Sequence, residues 1–308
     1  MTSFLAMTIH ALMPYLATPF HALPESIRAR AFGVNYVKFT DPRGGELYIT
    51  RHGWPMARHL APEAWYSQGQ YFKKGRRLTG GTGTVYRFHV SSPGEPRAEF
   101  VVKFSRFAEH VPLFMPSTLP DDLPGYLADS AKFNSPFEEF ALIEDLRRGA
   151  FGPPRLRIRT KRPLAIYCTP GRSPLWQLGR TEGRFSEYDL ALQRDQAGRR
   201  AEAQVHLDIE RQYIMLYGWV SGDNAEDLEL SGVLTPEEVE ALTRRVNREL
   251  HEKGFRILDN KPKHLILRRL RDGGVMRRGG DLVYVQVDFE LLQRTDDYMQ
   301  FLQEMDGI

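Results

Sequence analysis

An aspartate, a lysine two places later and a proline directly after it precede an apolar run in FRILDNKPKHLIL, residues 255–267. Further along, a second aspartate, Asp288, closes the apolar run VYVQVDFE, residues 283–290. Two carboxylates in such settings, with an ammonium group beside one of them, suit phosphoryl transfer from ATP. Asp259 would take the proton of an acceptor hydroxyl and Lys261 would neutralise the group in flight. Asp288 would hold a divalent metal against the phosphate oxygens. Where a metal-binding Asn is expected, the chain carries His264. Imidazole is a poor donor to hard Mg²⁺ and a better one to Mn²⁺ or Zn²⁺. Two readings of His264 therefore stand on sequence alone: a metal ligand, or a group that only hydrogen-bonds the loop.

Elements upstream are those that could hold a nucleotide. LTGGTGTVYRFHV (residues 78–90) and AEFVVKFS (98–105) read as strand, glycine turn and strand. Backbone N–H groups at Gly80, Gly81 and Gly83 could lie over phosphates, although glycine turns between strands are common without any ligand. Lys103 in the second strand could clamp the α- and β-phosphates if a helix carboxylate held it; a strand lysine alone usually snorkels to solvent. SPFEEFALIEDLRRG (135–149) supplies such a helix, with Ser135 as N-cap, Pro136 at the first helical position, Glu138 at the capping-box position and Gly149 after the end. Leu142, Ile143 and Leu146, spaced +3, +4 and +7 from Glu139, direct that carboxylate towards the sheet. Glu138 is the rival, with capping as its simpler role.

Taken in order, a glycine loop, a strand Lys, a helix Glu, a strand with a glycine connector, a helix, an Asp-x-Lys loop and an Asp-Phe strand end resemble the protein-kinase-like superfamily over roughly residues 75–295. The resemblance implies an α+β, two-lobed fold. Its parts would be an N-terminal extension (1–74), an N-lobe (75–219) with an insertion near 170–205, and a reduced C-lobe (220–308). It also implies roles. Gly80 and Gly83 match the glycine-rich loop, with Leu78 in place of its first glycine; Lys103 and Glu139 match the nucleotide-setting pair. YGWVSG (217–222) resembles the hinge, where backbone near Gly218 and Val220 would bind adenine. Asp259 matches the catalytic aspartate, Lys261 the lysine that follows it, and Asp288 the metal ligand. The cofactors implied are ATP with Mg²⁺ or Mn²⁺. Ile257 departs from the usual His or Tyr, at a position that mainly packs. Glu290 replaces the glycine after Asp-Phe and is similar to choline and aminoglycoside kinases, and His at position 264 is similar to lipopolysaccharide sugar kinases. Little chain follows Asp288, so a small-molecule or sugar acceptor is expected over a protein, with a partner or oligomer able to complete the short C-lobe. The rival expectation is a pseudokinase that binds nucleotide, or scaffolds, without transfer.

The remaining sequence sets bounds. With 308 residues, 42% hydrophobic and 11% aromatic, the chain can build a sizeable core. A net charge of +3 and a pI near 8.9 fall short of a nucleic-acid-binding balance. The basic runs RLRIRT (155–160) and Arg268–Arg278 read first as solvated surface, and no nucleic-acid partner is expected. Cys168, the single cysteine, cannot pair internally and reads as a small buried hydrophobe, which fits a cytoplasmic location. The apolar opening, residues 3–23, carries no early Lys or Arg and is broken by His10, Pro14, Pro19 and His21. It is expected to pack on the domain, not to span a membrane or serve as a leader. NYVKFT and ELYIT around DPRGG read as a hairpin, MARHLAPEAWY as an amphipathic helix and RLRIRT and RPLAIY as strands. A helix is expected near Ser186, and the most strongly marked one over residues 234–254.

Overall fold

A computed structural model describes residues 7–78, 83–90, 98–111, 113, 131–185, 205 and 207–306. Gly80, Gly81 and the helix expected near Ser186 lie outside the described residues. The architecture is α+β. The chain divides into two compact units: Met1–Glu109, Ser135–Ala141 and Arg162–Trp219 form the first, and His110–Asn134, Leu142–Lys161 and Val220–Ile308 the second.

The first unit is built on eight strands: β1 (Arg28–Ala31), β2 (Val34–Thr40), β3 (Glu46–Thr50), β4 (Arg76–Arg77), β5 (Val85–Val90), β6 (Ala98–Phe104), β7 (Pro163–Cys168) and β8 (Tyr213–Gly218). They form one antiparallel sheet in the order β1-β2-β3-β7-β8-β6-β5-β4. Strand periodicity gives the sheet two buried faces. On one, Val37, Ile49, Phe100, Val102, Ile214 and Leu216 pack in a core with Leu12, Trp54, Leu60 and Trp65 from the N-terminal segment. On the other, Phe137 meets Tyr48 and Tyr36 edge-on at 4.9 and 5.5 Å, and Phe140 meets Tyr217 at 5.2 Å.

Residues 7–74 therefore do not stand apart from the strands that follow them. β1–β3 extend the sheet, and the helical turns over 54–73 cover one of its faces. The joint is the pairing of Leu47 with Tyr167 and Ile49 with Ala165, a contact between distant segments that periodicity cannot reveal. Two local expectations also change. MARHLAPEAWY forms two short helices, Ala57–Leu60 and Pro62–Trp65, because Ala61 before the proline is extended (ψ 135°). RLRIRT is not a strand; only Thr160 makes a bridge, to Gln286, while Arg155, Arg157 and Arg159 stay exposed.

The second unit carries the helix Pro236–Glu252. Thr235 and Glu238 close a full capping box at its start, and Val239, Leu242, Val246 and Leu250 form its buried stripe. One short strand precedes this helix, β9 (Asp223–Asn224), and six follow: β10 (Phe255–Ile257), β11 (Leu265–Leu267), β12 (Arg277–Arg278), β13 (Asp281–Leu282), β14 (Tyr284–Gln286) and β15 (Leu292–Arg294). β11 is central between β9 and β14, β10 pairs with β15, and β12 with β13. The helix Asp296–Asp306 ends the described chain and buries Tyr298.

Gly254 terminates the long helix at φ +76°, where an added Cβ would lie 2.7 Å from Tyr298 Cβ and 2.8 Å from Phe151 Cδ1. Gly273 has a similar φ, +88°, with nothing within 4 Å. Gly273→Ala should cost only the left-handed backbone, about 1–2 kcal/mol. Gly254→Ala should add roughly 1–3 kcal/mol of overpacking. Urea unfolding of both variants tests this ordering.

Candidate functional site

The predicted site residues fall into two sets, one in each unit. In the first unit, Lys103 lies on β6 and pairs with Val85 of β5, two residues after Gly83 in the chain. Its neighbours Val102 and Phe100 enter the sheet core, so alternation turns Lys103 to the opposite face. There its Nζ lies 3.7 Å from Glu139 Oε1, with side-chain exposures of 7% and 0%. Tyr217 Oη donates a 2.6 Å hydrogen bond to the same carboxylate oxygen. Glu138, one residue earlier, instead accepts from the Ser135 N–H while Ser135 Oγ accepts from the Glu138 N–H. One helix start thus assigns the two glutamates different work: Glu138 caps, and Glu139 is buried against a lysine.

Among the described residues, Gly83 has Val85 Cγ2 alone within 4 Å of an added Cβ, at 3.9 Å. Gly218 ends β8, and its N–H is committed to the Arg162 carbonyl at 2.9 Å. Trp219 N–H donates to Glu99 O, and its ring stacks on the Arg87 guanidinium at 4.2 Å. Val220 opens the part of the chain assigned to the second unit.

In the second unit the sequence 258–264 forms a loop and a short 3-10 turn between β10 and β11. Leu258 and Asn260 are fully buried, whereas Asp259 and Lys261 are partly exposed at 28% and 30%. Lys261 Nζ donates to Asp259 Oδ2 at 2.7 Å. The segment 287–290 follows β14, and its Phe289 is fully buried. His264 Nε2 lies 3.4 Å from Asp288 Oδ2, with exposures of 12% and 27%. Backbone bonds join the two loops: Val287 N–H to His264 O at 3.0 Å and Leu258 N–H to Leu291 O at 3.2 Å. Asp259 with Lys261, and Asp288 with His264, are therefore carried on paired segments of one unit.

Four residues escaped the sequence reading. Asn260 donates through Nδ2 to Asn247 Oδ1 at 2.7 Å, and Gln286, fully buried, donates to Asp288 O at 3.2 Å. Lys161, 5% exposed, lies 5.7 Å above the Phe289 ring. The available signal was a polar residue at an apolar position: Gln286 shares a strand face with buried Tyr284. Cys168 is buried, and burial pushes its thiol up to about 12, which removes it as a nucleophile.

The donor set bears on a metal. Among the described residues no group of three or more His, Cys, Asp and Glu could hold an ion. Mg²⁺ at phosphate sites commonly takes one or two carboxylates, with phosphate oxygens and water completing the shell. Asp288 fits that use and His264 adds a nitrogen better suited to Mn²⁺; the residues do not fit an all-protein cage. Among the described residues no helix is long and apolar enough to cross a membrane.

Comparison with known proteins gives limited likeness. No family model matches the chain, and no curated protein matches it. Among solved structures, WbdD in complex with a kinase inhibitor is similar at 13% identity and TM-score 0.27, over 68% of this chain and 33% of that one. The kinase PK-1 of Cydia pomonella granulovirus gives 13% identity and TM-score 0.25, over 73% and 54%. Monomeric WbdD gives 13% and 0.28, over 82% and 52%. The chain spans a third to about half of these structures. Likeness at this level carries no argument about fold or function, so the reading below rests on the residues.

Burying a lysine against a carboxylate stabilises little, but breaking such a pair leaves an uncompensated charge, at about 3–5 kcal/mol. Lys103→Met should therefore destabilise strongly, and Lys103→Met combined with Glu139→Leu should regain a large part of the loss. Denaturant titration of the single and double variants checks this, and an additive double variant would contradict the pairing.

Proposed function

We propose that the chain is an ATP-dependent phosphotransferase of the protein-kinase-like type, acting on a hydroxyl of a small molecule or sugar. What supports this most is the second unit, where an aspartate with a lysine at 2.7 Å sits on a segment paired to the one bearing Asp288. Asp259 would orient the acceptor hydroxyl and take its proton. Lys261 would exchange its bond to Asp259 for the phosphoryl group as charge develops there. Asp288, with His264 beside it, would hold Mg²⁺ or Mn²⁺, and the metal would supply charge neutralisation at the phosphates. Lys103, fixed by Glu139, would engage the α- and β-phosphates, and backbone N–H groups at Gly80, Gly81 and Gly83 would bind phosphate oxygens. Adenine would use backbone groups near Gly218 and Val220 other than the Gly218 N–H, which is already engaged. ATP as donor suits the cytoplasm. The Asp-Phe-Glu sequence at residues 288–290 favours a small acceptor over a peptide.

One observation favours a second reading, a nucleotide-binding pseudokinase. His264 lies against Asp288, so a protonated imidazole there would compete with the metal for the carboxylate.

The test is ATP turnover with Mg²⁺ and with Mn²⁺ in wild type and Asp259→Ala. Positioning and electrostatics supply nearly all of such catalysis, so the variant should lose roughly 10²–10⁴-fold in kcat. Equal turnover would sink the assignment of Asp259. Stabilisation by ATP without turnover in wild type would support the pseudokinase, because a ligand that binds only the folded state raises the unfolding midpoint.

A further inference from the structure

We infer that Gln286 is a positioning residue for the phosphotransfer site: its buried carboxamide ties the loop carrying Asp259 to the loop carrying Asp288 and sets the spacing of the two carboxylates. The inference rests on the phosphotransfer reading above and adds a residue and a mechanism of alignment to it.

Gln286 is 0% exposed and pairs with Leu265 in the β11–β14 ladder. Its backbone is fully engaged on the far side, with its N–H donating to Arg159 O at 2.9 Å and its carbonyl accepting from Lys161 N–H at 3.2 Å. The side chain spans the loops. Nε2 donates to the Asp288 carbonyl at 3.2 Å and, more weakly, to Asn260 Oδ1 at 3.4 Å. Asn260 is the residue after Asp259 and is also 0% exposed. Its Nδ2 continues to Asn247 Oδ1 at 2.7 Å, on the helix Pro236–Glu252. Three amides thus form a relay from a rigid helix, through the acid-bearing loop, into the metal-bearing loop.

Neither aspartate lies in a strand, so the ladder does not fix them directly. Backbone bonds bracket them at Leu258–Leu291 and His264–Val287, and within that bracket the relay adds a buried side-chain link beside the His264–Asp288 contact. Such support matters because reacting groups must be held within about half an ångström, and a shift of about 1 Å can cost 10²-fold.

Gln286 Oε1 is buried with no hydrogen-bond partner among the described residues. An unmet buried acceptor is destabilising, which offsets what the two donated bonds contribute. Gln286 is therefore a poor residue for stability, and Met, of similar length and volume, would fill the site without the orphan oxygen. Packing alone gives no reason for a carboxamide here; alignment of the two loops does.

The test compares wild type with Gln286→Met in the full chain, by thermal unfolding, steady-state kinetics with ATP and Mn²⁺, and amide exchange over 258–264 and 287–291. The expected result is an unfolding midpoint close to wild type, faster exchange in both segments, kcat lower by roughly 10–100-fold and KM for ATP within a few-fold. Wild-type exchange with wild-type kcat overturns the proposal. Faster exchange in a chain whose wild type transfers no phosphate overturns the phosphotransfer reading and its catalytic meaning, while exchange still shows the two loops coupled. If Gln286→Met does not fold, Asn247→Ala, at the partly exposed end of the relay, replaces it. A kcat reduced several-fold at unchanged KM supports the relay there, and an unchanged kcat overturns it.

Discussion

Every charged group assigned to chemistry in the second unit has a fully buried residue next to it in the chain. Leu258 and Asn260 flank Asp259 at 0% exposure, Leu265 follows His264 at 0%, and Phe289 follows Asp288 at 0%. Burying a leucine or phenylalanine is worth about 1.5–3 kcal/mol, so the loops gain their position from these side chains and not from the charges. The aspartates are then left half-exposed, where water, metal and phosphate can reach them. The first unit applies the constraint differently. Its sheet buries both faces, and the alternation that sends Val102 into one core sends Lys103 to the other side, against Glu139.

Charge and hydrogen bonding divide the remaining labour. The Lys103–Glu139 pair is almost wholly buried, so its worth lies in specificity of position more than in stability. The Asp259–Lys261 pair is partly solvated and can exchange partners at little expense. Those are suitable states for a clamp and for a group that must respond to an arriving phosphate. The Asn247–Asn260–Gln286 amides occupy the buried space between such extremes, where neutral groups can transmit geometry without a charge to desolvate.

Local grammar was legible in the sequence. Ser135, Pro136, Glu138 and Gly149 marked a helix found at Pro136–Arg148, and Thr235 to Gly254 marked the one at Pro236–Glu252. DPRGG set the turn between β2 and β3. Non-local pairing was not legible: nothing near Leu47 or Ile49 names Tyr167 or Ala165 as its partner. RLRIRT alternates like a strand, yet it forms a single isolated bridge, Thr160 to Gln286, because alternation states which residues could be buried and not whether a neighbouring strand is present. The chemical letters Asp259, Lys261, His264 and Asp288 could be read from type and spacing. The amides that join them could not, since a lone Asn or Gln in a strand has no spacing rule and its role exists only once two loops are paired.

The central claim is that Asp288 and Asp259 serve one metal–nucleotide complex. A crystal structure with Mn²⁺ and a non-hydrolysable ATP analogue tests it most directly. The account predicts an anomalous Mn²⁺ peak bonded to an Asp288 carboxylate oxygen and to phosphate oxygens, with the Asp259 carboxylate facing the terminal phosphate. Analogue and metal bound away from Asp288, or a terminal phosphate remote from Asp259, would contradict it.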